Sequence, residues 1–461
     1  MIKYSPSKIL ASIIGLLVVP LYTRILSPEQ FGLYHISVAT LSFICIIFSD
    51  WVGIAALRFF KENKILSTVN SYFGTLILII TINLTIMFVL GFISFNNICN
   101  YFKIPSNLLY IVLFLIPPVA IRCLLSQVLR AQIKPVSYTT AIIFNQISTT
   151  VISVFFIYYF KMGAEAILYG MAVSIILTDA IMAIQSGINT STCFKTVKTS
   201  TLSSYYRYGV PIALSSLGMW LIGQGNRFIL QHYKGSFFSG ILGVGYNLTF
   251  SAIMPLLTII TLAAVPRIYE RYESGIETGK ALTRLTGLYI SLATPITFMF
   301  CLFPKQIVDL FSNKNYAEAH IILPFLALSM FALGLSEYTT IQYHLAKKTF
   351  IETGIRILPG ISGLILGIIL IPKYGLYGVG ISTLTSYGLY FLLSITVNIR
   401  GLEWKPPYKV IRSTIFSMFL SVVIYYLLYT KIPSLELMIS VLVSYIIIQC
   451  VQLTILKFKN D

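Results

Sequence analysis

Apolar runs about twenty residues long follow one another from end to end of this chain, each closed by a short stretch containing Lys, Arg, Pro, Gly or Asn. Twenty residues rise roughly 30 Å as a helix, which is the thickness of a bilayer core. Fourteen runs can be counted, at 7–26, 33–57, 72–95, 107–129, 138–160, 164–185, 209–230, 241–265, 284–303, 318–344, 353–371, 375–398, 411–430 and 435–456. They are too long for barrel strands. In lipid every backbone N–H and C=O must be paired within the protein, so each run predicts a transmembrane helix.

Composition supports that reading. The 461 residues are 57% hydrophobic and only 10% charged, with a mean hydropathy of +0.84. Soluble domains carry roughly 25% charged residues. The net charge of +18 does not call for nucleic acid, because no dense basic tract exists and Lys and Arg collect in cytoplasmic loops of membrane proteins. With the N-terminus placed in the cytoplasm, 23 of the 33 Lys and Arg fall on inside segments and nine on outside ones, leaving Arg122 within a span. Both termini are then cytoplasmic. The first run has no small-residue cleavage site before its next turn and is expected to be a retained span. The six cysteines are scattered, without disulfide or zinc spacing.

The chain also repeats itself. "TRILSPEQFGLY" after span 1 answers to "NRFILQHYKGSFFSGILGVGY" after span 7, "AALRFF" to "AVPRIY", "LRAQIKPVSY" to "HLAKKTFIET", and "KMGAEA" to "KYGLYG". The offsets stay between 203 and 215 residues. Six spans per repeat is an even number, so both copies insert the same way up, with a cavity expected between them. The predicted organisation is a six-helix lobe at 1–200, a second at 201–400, and two additional helices at 401–461.

Charged residues inside spans are costly, roughly 2.5–3.5 kcal/mol on insertion scales, and usually face protein or water. Arg122 lies about eight residues, roughly 12 Å, from the inner end of span 4. Its repeat mate at an offset of 215 is Glu337, and Asp50 and Asp179 sit at similar depth. One reading is a charged layer in which Arg122 exchanges among Glu337, Asp50 and Asp179 during transport. The other is a static buried pair that fixes helix packing. Prolines 20, 117, 211, 255, 266, 295 and 324 lie in or near spans and are candidate bends.

The stretches "SKILASIIGLLVVPLYTRILSPEQFGLYHISVATLSFICI", "VLRAQIKPVSY" and "YGLYGVGISTLTSY" resemble polysaccharide flippases. These O-antigen repeat-unit transporters belong to the superfamily that also holds multidrug-and-toxin extruders and the lipid II flippase. The resemblance covers the whole chain. It implies an all-α, V-shaped, MATE-like transporter of two pseudo-symmetric lobes in a bacterial inner membrane. Its substrate would be an undecaprenyl-diphosphate-linked oligosaccharide moved from cytoplasm to periplasm, with a polysaccharide polymerase and a chain-length regulator as working partners. Many such proteins have twelve spans; the fourteen counted here match the extra C-terminal helices of the lipid II branch.

In that superfamily spans 1 and 7 line the cavity. Arg24 and Arg227 are repeat mates near the outer ends of those spans, and two guanidiniums on one cavity would grip a diphosphate in bidentate fashion. Snorkelling to lipid headgroups is the alternative. Arg58 and Arg267 end spans 2 and 8 inside, where they anchor helices or meet substrate. Asp50, Asp179 and Glu337 are the candidates for coupling to a proton or sodium gradient, since no nucleotide site is visible. "SGIETGKAL" has the glycines of a phosphate loop one residue too close, and Ala281 stands where Ser or Thr would hold magnesium. The four histidines form no metal motif. No cofactor, metal or catalytic residue is therefore expected. A polymerase would need a large outer loop, which is absent. A drug/cation antiporter of the same fold favours acidic cavities and is the remaining rival.

Overall fold

The computed structural model describes residues 5–65, 69–188, 202–275, 278–429 and 432–458. Lys3, Cys193, Lys195, Lys198, Lys431 and Lys459, and the boundary expected at 200/201, lie outside them. The described residues form helices and connections, without a strand. In chain order the helices are α1 (Ser5–Ile25), α2 (Pro28–Cys45), α3 (Trp51–Ile65), α4 (Val69–Phe102), α5 (Ser106–Ala131), α6 (Pro135–Phe160), α7 (Ala164–Ser186), α8 (Leu202–Lys234) and α9 (Ser236–Glu273). Then come α10 (Gly279–Leu302), α11 (Pro304–Phe311), α12 (Ala319–Thr339), α13 (Ile341–Leu345), α14 (Thr349–Tyr374), α15 (Leu376–Thr396), α16 (Tyr408–Leu428) and α17 (Ser434–Phe458).

Twelve helical stretches among the described residues are long and apolar enough to cross a membrane, so this is a multi-pass membrane protein. The stretch α2–α3 counts once, because a π-helical turn at Ile46–Asp50 carries α2 into α3 without a break. The stretch α12–α13 likewise counts once. Two of the fourteen expected spans fall outside the twelve. For α1 the apolar stretch described is Ile14–Ile25, and α8 is polar in its second half, at Gln224, Asn226, Arg227 and Gln231. The short α11 was not anticipated; eight residues are too few to span.

Helix ends run beyond the apolar runs. The 38 residues of α9 rise ~57 Å, well beyond a bilayer core, and continue through Arg267 and Arg271. The starts are set by local chemistry. Pro28 occupies the first turn of α2, where its missing N–H costs nothing, and the Ser27 hydroxyl accepts from the Gln30 amide at 3.4 Å. The prolines at 20, 117, 118, 211, 255, 266, 295 and 324 are all accommodated inside helices.

The packing of the first half recurs in the second. In the first half α6 packs on α1 and α7, and α5 on α2 and α7; in the second α14 packs on α8 and α15, and α12 on α9 and α15. Helices α16 and α17 pack on each other and on α10. The halves meet mainly where α2 crosses α9. There Gly32 and Gly240 bring two backbones together: a Cβ on Gly32 would stand 1.9 Å from the Ser236 carbonyl, and one on Gly240 equally close to that of Pro28. Small residues at such crossings replace the hydrophobic driving force that lipid does not supply. His35, one turn further along α2, lies against Gly243.

This crossing predicts that Gly240→Leu will force α2 from α9. Overpacking of this kind costs about 1–3 kcal/mol. A cysteine placed at the buried Ser239 should then react with a membrane-impermeant maleimide several times faster than in a Gly240 background. Equal labelling would show that the crossing does not seal this side.

Candidate functional site

Where the halves diverge from the α2–α9 crossing, a cavity of about 550 Å³ opens. One wall is α2, through Ser42 and Ile46; the others are α8, α9, α12, α14 and α15, through Trp220, Gln224, Tyr246, Glu337, Arg356 and Tyr387 among others. Ile46 begins the π-helical turn, a local rewinding often found beside functional sites. The Trp220 indole N–H donates to the Ser42 hydroxyl at 3.0 Å and its ring packs near Phe43 and Phe228, tying α8 to α2. The Tyr246 and Tyr387 hydroxyls meet at 3.3 Å. The cavity thus offers aromatic faces and hydroxyls, the surfaces that hold a polar, ring-containing ligand.

One ion cluster forms its charged corner. Arg356 Nη2 lies 3.2 Å from Glu337 Oε1 and 2.8 Å from Glu352 Oε1. Its Nε donates to the Tyr390 hydroxyl, which donates to Glu337 Oε1, both at 3.2 Å, and its Nη1 donates to Ser215 Oγ at 3.3 Å. The Glu352 carboxylate is 3% exposed, and His344 Nε2 lies 3.2 Å from the same Oε1. Glu337 is 32% exposed and reaches the cavity. With both acids ionised and His344 neutral, two carboxylates share one guanidinium and the cluster carries one net negative charge.

The first half holds a layer built on the same plan. Arg122 Nη1 donates to Asn145 Oδ1 at 2.8 Å. The Asn145 amide donates to Ser174 Oγ at 3.1 Å and Thr178 Oγ1 at 3.3 Å. Arg122, Asn145 and Thr178 lie 215, 211 and 212 residues before Glu337, Arg356 and Tyr390. Each half therefore joins its fourth, fifth and sixth expected spans through three polar side chains at matching positions. The charge is distributed differently: the fourth position is an arginine in one half and a glutamate in the other.

These placements separate residues that the sequence grouped. Arg122 and Glu337 do not meet; each takes a partner from its own half, because mates occupy the same position in different bundles. No ion pair is recorded among the described residues for Arg122, Asp50 or Asp179; both acids act on Arg122 through space. Asp50 closes the π-helical turn, and Asp179 is buried with one oxygen lacking a hydrogen-bond partner. Arg24 is exposed in the last turn of α1. Arg227 is 5% exposed, donates to the His35 carbonyl at 3.3 Å, and lies 5.7 Å from the centre of the Tyr246 ring. Neither lines the 550 Å³ cavity. Arg58 is exposed midway along α3, which continues to Ile65, and Arg267 lines a separate groove. Arg356, Glu352, Asn145, Tyr390 and Trp220 were not singled out. Arg356 had been counted as a loop cation, although an offset of 211 relates it to Asn145.

This is the architecture of a multi-pass helical membrane protein with a cavity between two packed halves. The polysaccharide biosynthesis protein family matches residues 2–271, and the chain belongs to that family. An uncharacterized membrane protein of Methanocaldococcus jannaschii is 22% identical over 394 residues, covering 82% of this chain and 91% of that protein. The fold is similar to the lipid II flippase MurJ in an inward closed conformation, with TM-score 0.75 and 15% identity over 100% of this chain and 99% of that one. It is also similar to an inward-facing multidrug resistance transporter of the MATE family, with TM-score 0.67 and 14% identity over 85% and 92%. These fold neighbours are a flippase and a transporter, not enzymes.

Removing one partner of a buried ion pair costs about 3–5 kcal/mol. Arg356→Ala, which strands Glu352, is therefore expected to lower the unfolding temperature in detergent far more than Arg122→Ala, whose partner is a neutral amide. Adding Glu352→Gln to Arg356→Ala should recover much of the loss. Equal losses for the two arginines would contradict the cluster.

Proposed function

We propose that this protein is a flippase for a lipid-linked oligosaccharide, of the undecaprenyl-diphosphate type used for O-antigen or similar surface polysaccharide. It carries the unit from the cytoplasmic to the outer leaflet of a bacterial inner membrane, where a polymerase and chain-length regulator take it up. Residues 1–200 and 201–400 act as two lobes that rock about the cavity, and 401–461 add two helices. Both α1 and α8 cross as well, giving fourteen spans with cytoplasmic termini. The sealed α2–α9 crossing supports a resting state closed on that side of the cavity.

The carrying observation is the cavity itself: aromatic rings and hydroxyls for sugar, beside Arg356 as a guanidinium for diphosphate. In the resting state Arg356 is occupied by Glu337 and Glu352. Protonation of Glu337 releases it to an incoming anion, which couples substrate to a proton gradient without a cofactor. Arg122 belongs to the corresponding layer of the other lobe, with Asp50 and Asp179 acting on it through space, and Arg24, Arg227 and Arg58 serve helix packing and the membrane boundary. The partly exposed Glu337 also suits an organic cation, so a multidrug antiporter is the second reading.

Deleting the gene and following lipid-linked glycans together with surface polysaccharide separates the two. The flippase reading expects surface polymer to vanish and complete repeat units to accumulate inside, with Arg356→Ala as defective as the deletion and Glu337→Gln altering the pH dependence. Intact surface glycan with raised sensitivity to organic cations would favour the antiporter. Single units reaching the surface unpolymerised would instead mark a polymerase.

A further inference from the structure

The ion cluster of the second half reaches past the cavity to a histidine. His344 lies near the end of α13, and α14 starts five residues later at Thr349. Lys347 turns the chain back with a φ of +57°, and the Lys347 and Lys348 amides bond the His344 and Tyr343 carbonyls at 3.1 and 2.8 Å. The turn lays the imidazole against the first turn of α14, where its Nε2 lies 3.2 Å from Glu352 Oε1. The residues before His344 fix this placement. Gln342 is fully buried; it donates to the Ser394 carbonyl at 3.1 Å and accepts from the Ile399 amide at 3.0 Å. The Tyr343 hydroxyl donates to the Val397 carbonyl at 2.6 Å. His344 itself is 43% exposed, at the end of the bundle that the basic loops assign to the cytoplasm.

Glu352 Oε1 is the junction of the cluster. The oxygen that His344 approaches is also the one 2.8 Å from Arg356 Nη2, so two nitrogen groups compete for one buried acceptor. A neutral imidazole offers that oxygen one hydrogen bond, whereas an imidazolium offers a counter-charge as well. The other titratable and charged groups at the junction are Glu337 on α12, Tyr390 on α15, Tyr343 on α13 and Tyr269 on α9, the last two acting on Glu352 through space. Lys347 and Lys348 follow in the turn, and Arg400 stands on the linker that Gln342 holds. Among these residue types, only imidazole ordinarily changes charge between pH 5 and 8.

Charge counting shows what the competition decides. With His344 neutral, loss of the Glu337 charge alone leaves Arg356 still paired with Glu352, four residues away on the same helix. With His344 charged, Glu352 has a cation of its own, and loss of the Glu337 charge then leaves the cluster with one net positive charge. Arg356 lines the cavity, so that charge faces whatever the cavity holds. We propose that His344 is a positioning residue for anion binding: when charged it holds Glu352 and leaves the Arg356 guanidinium to the substrate, so that acidity at the exposed imidazole gates the cavity. This rests on the reading of Arg356 as the diphosphate ligand.

The test measures equilibrium binding of radiolabelled farnesyl diphosphate to the purified full chain in neutral detergent, at constant ionic strength, across the range in which imidazole titrates. The native chain is compared with His344→Gln, His344→Arg and Arg356→Ala. The probe titrates in this range too, but identically for every variant, so affinity ratios at each pH remove its contribution. The ratio of native to His344→Gln affinity should rise on acidification by at least about fivefold, the low end of coupling between linked groups. His344→Arg, charged throughout, should bind more tightly than the native chain at the alkaline end and match it at the acid end. In a Glu352→Gln background the two His344 substitutions should have no effect. A native to His344→Gln ratio that does not change with pH would overturn the inference, as would His344→Arg binding no tighter than His344→Gln at the alkaline end. If His344→Gln melts early, native against His344→Arg gives the same comparison, and a constant ratio there would overturn it too. Binding by Arg356→Ala equal to the native chain at every pH, or no binding by the native chain, would instead remove Arg356 as the anion ligand, and this inference with it.

Discussion

Among the described glycines, Gly32 and Gly240 at the crossing of α2 over α9 stand nearest to another main chain, and the rest of the architecture depends on that crossing. Gly32 and Gly240 each sit on a main-chain carbonyl of the opposite helix, at Ser236 and Pro28. Any larger residue at either position would separate the halves by the width of a side chain. Because α2 and α9 meet there, they can diverge toward the other end, and the space left between them is the cavity bounded by Ser42, Trp220 and Tyr246. The same crossing buries Arg227 and His35. In lipid a buried guanidinium needs a carbonyl or a ring, and the structure supplies one of each.

The polar layers solve a related problem inside each half. A helix bundle in a membrane gains little from burying apolar side chains, because lipid is equally apolar; hydrogen bonds and close packing fix the arrangement instead. Arg122, Asn145 and Thr178 tie three helices of the first half, as Glu337, Arg356 and Tyr390 do in the second. The first set is held by a neutral amide, whereas the second confines one arginine between two carboxylates. This makes the second half the more charge-sensitive of the two, and it is the half that supplies most of the cavity wall.

Much of this was legible in the sequence, and the remainder failed for identifiable reasons. Helix existence follows from run length alone. Helix ends do not, because α9 keeps its backbone bonds through Arg267 and Arg271, where hydropathy has already fallen. The internal offset of 215 located Glu337 opposite Arg122, whereas Asn145 and Arg356 are related by an offset of 211, which a single fixed offset does not find. What periodicity cannot give is neighbours. Arg24 and Arg227 are equivalent in the repeat, yet one is exposed and the other enclosed, since Arg227 reaches a carbonyl of α2 and a ring of α9.

Helices α16 and α17 lie beyond the repeated part and rest on each other and on α10. The Trp404 indole holds their lead-in segment to Thr286. If both cross, they enter and return, so the chain ends on the same face as it would without them. An appended pair is silent in parity, whereas a single added helix would carry everything after it to the opposite compartment. This explains how a hairpin can be added beside two repeated halves while leaving whatever follows it in the same compartment.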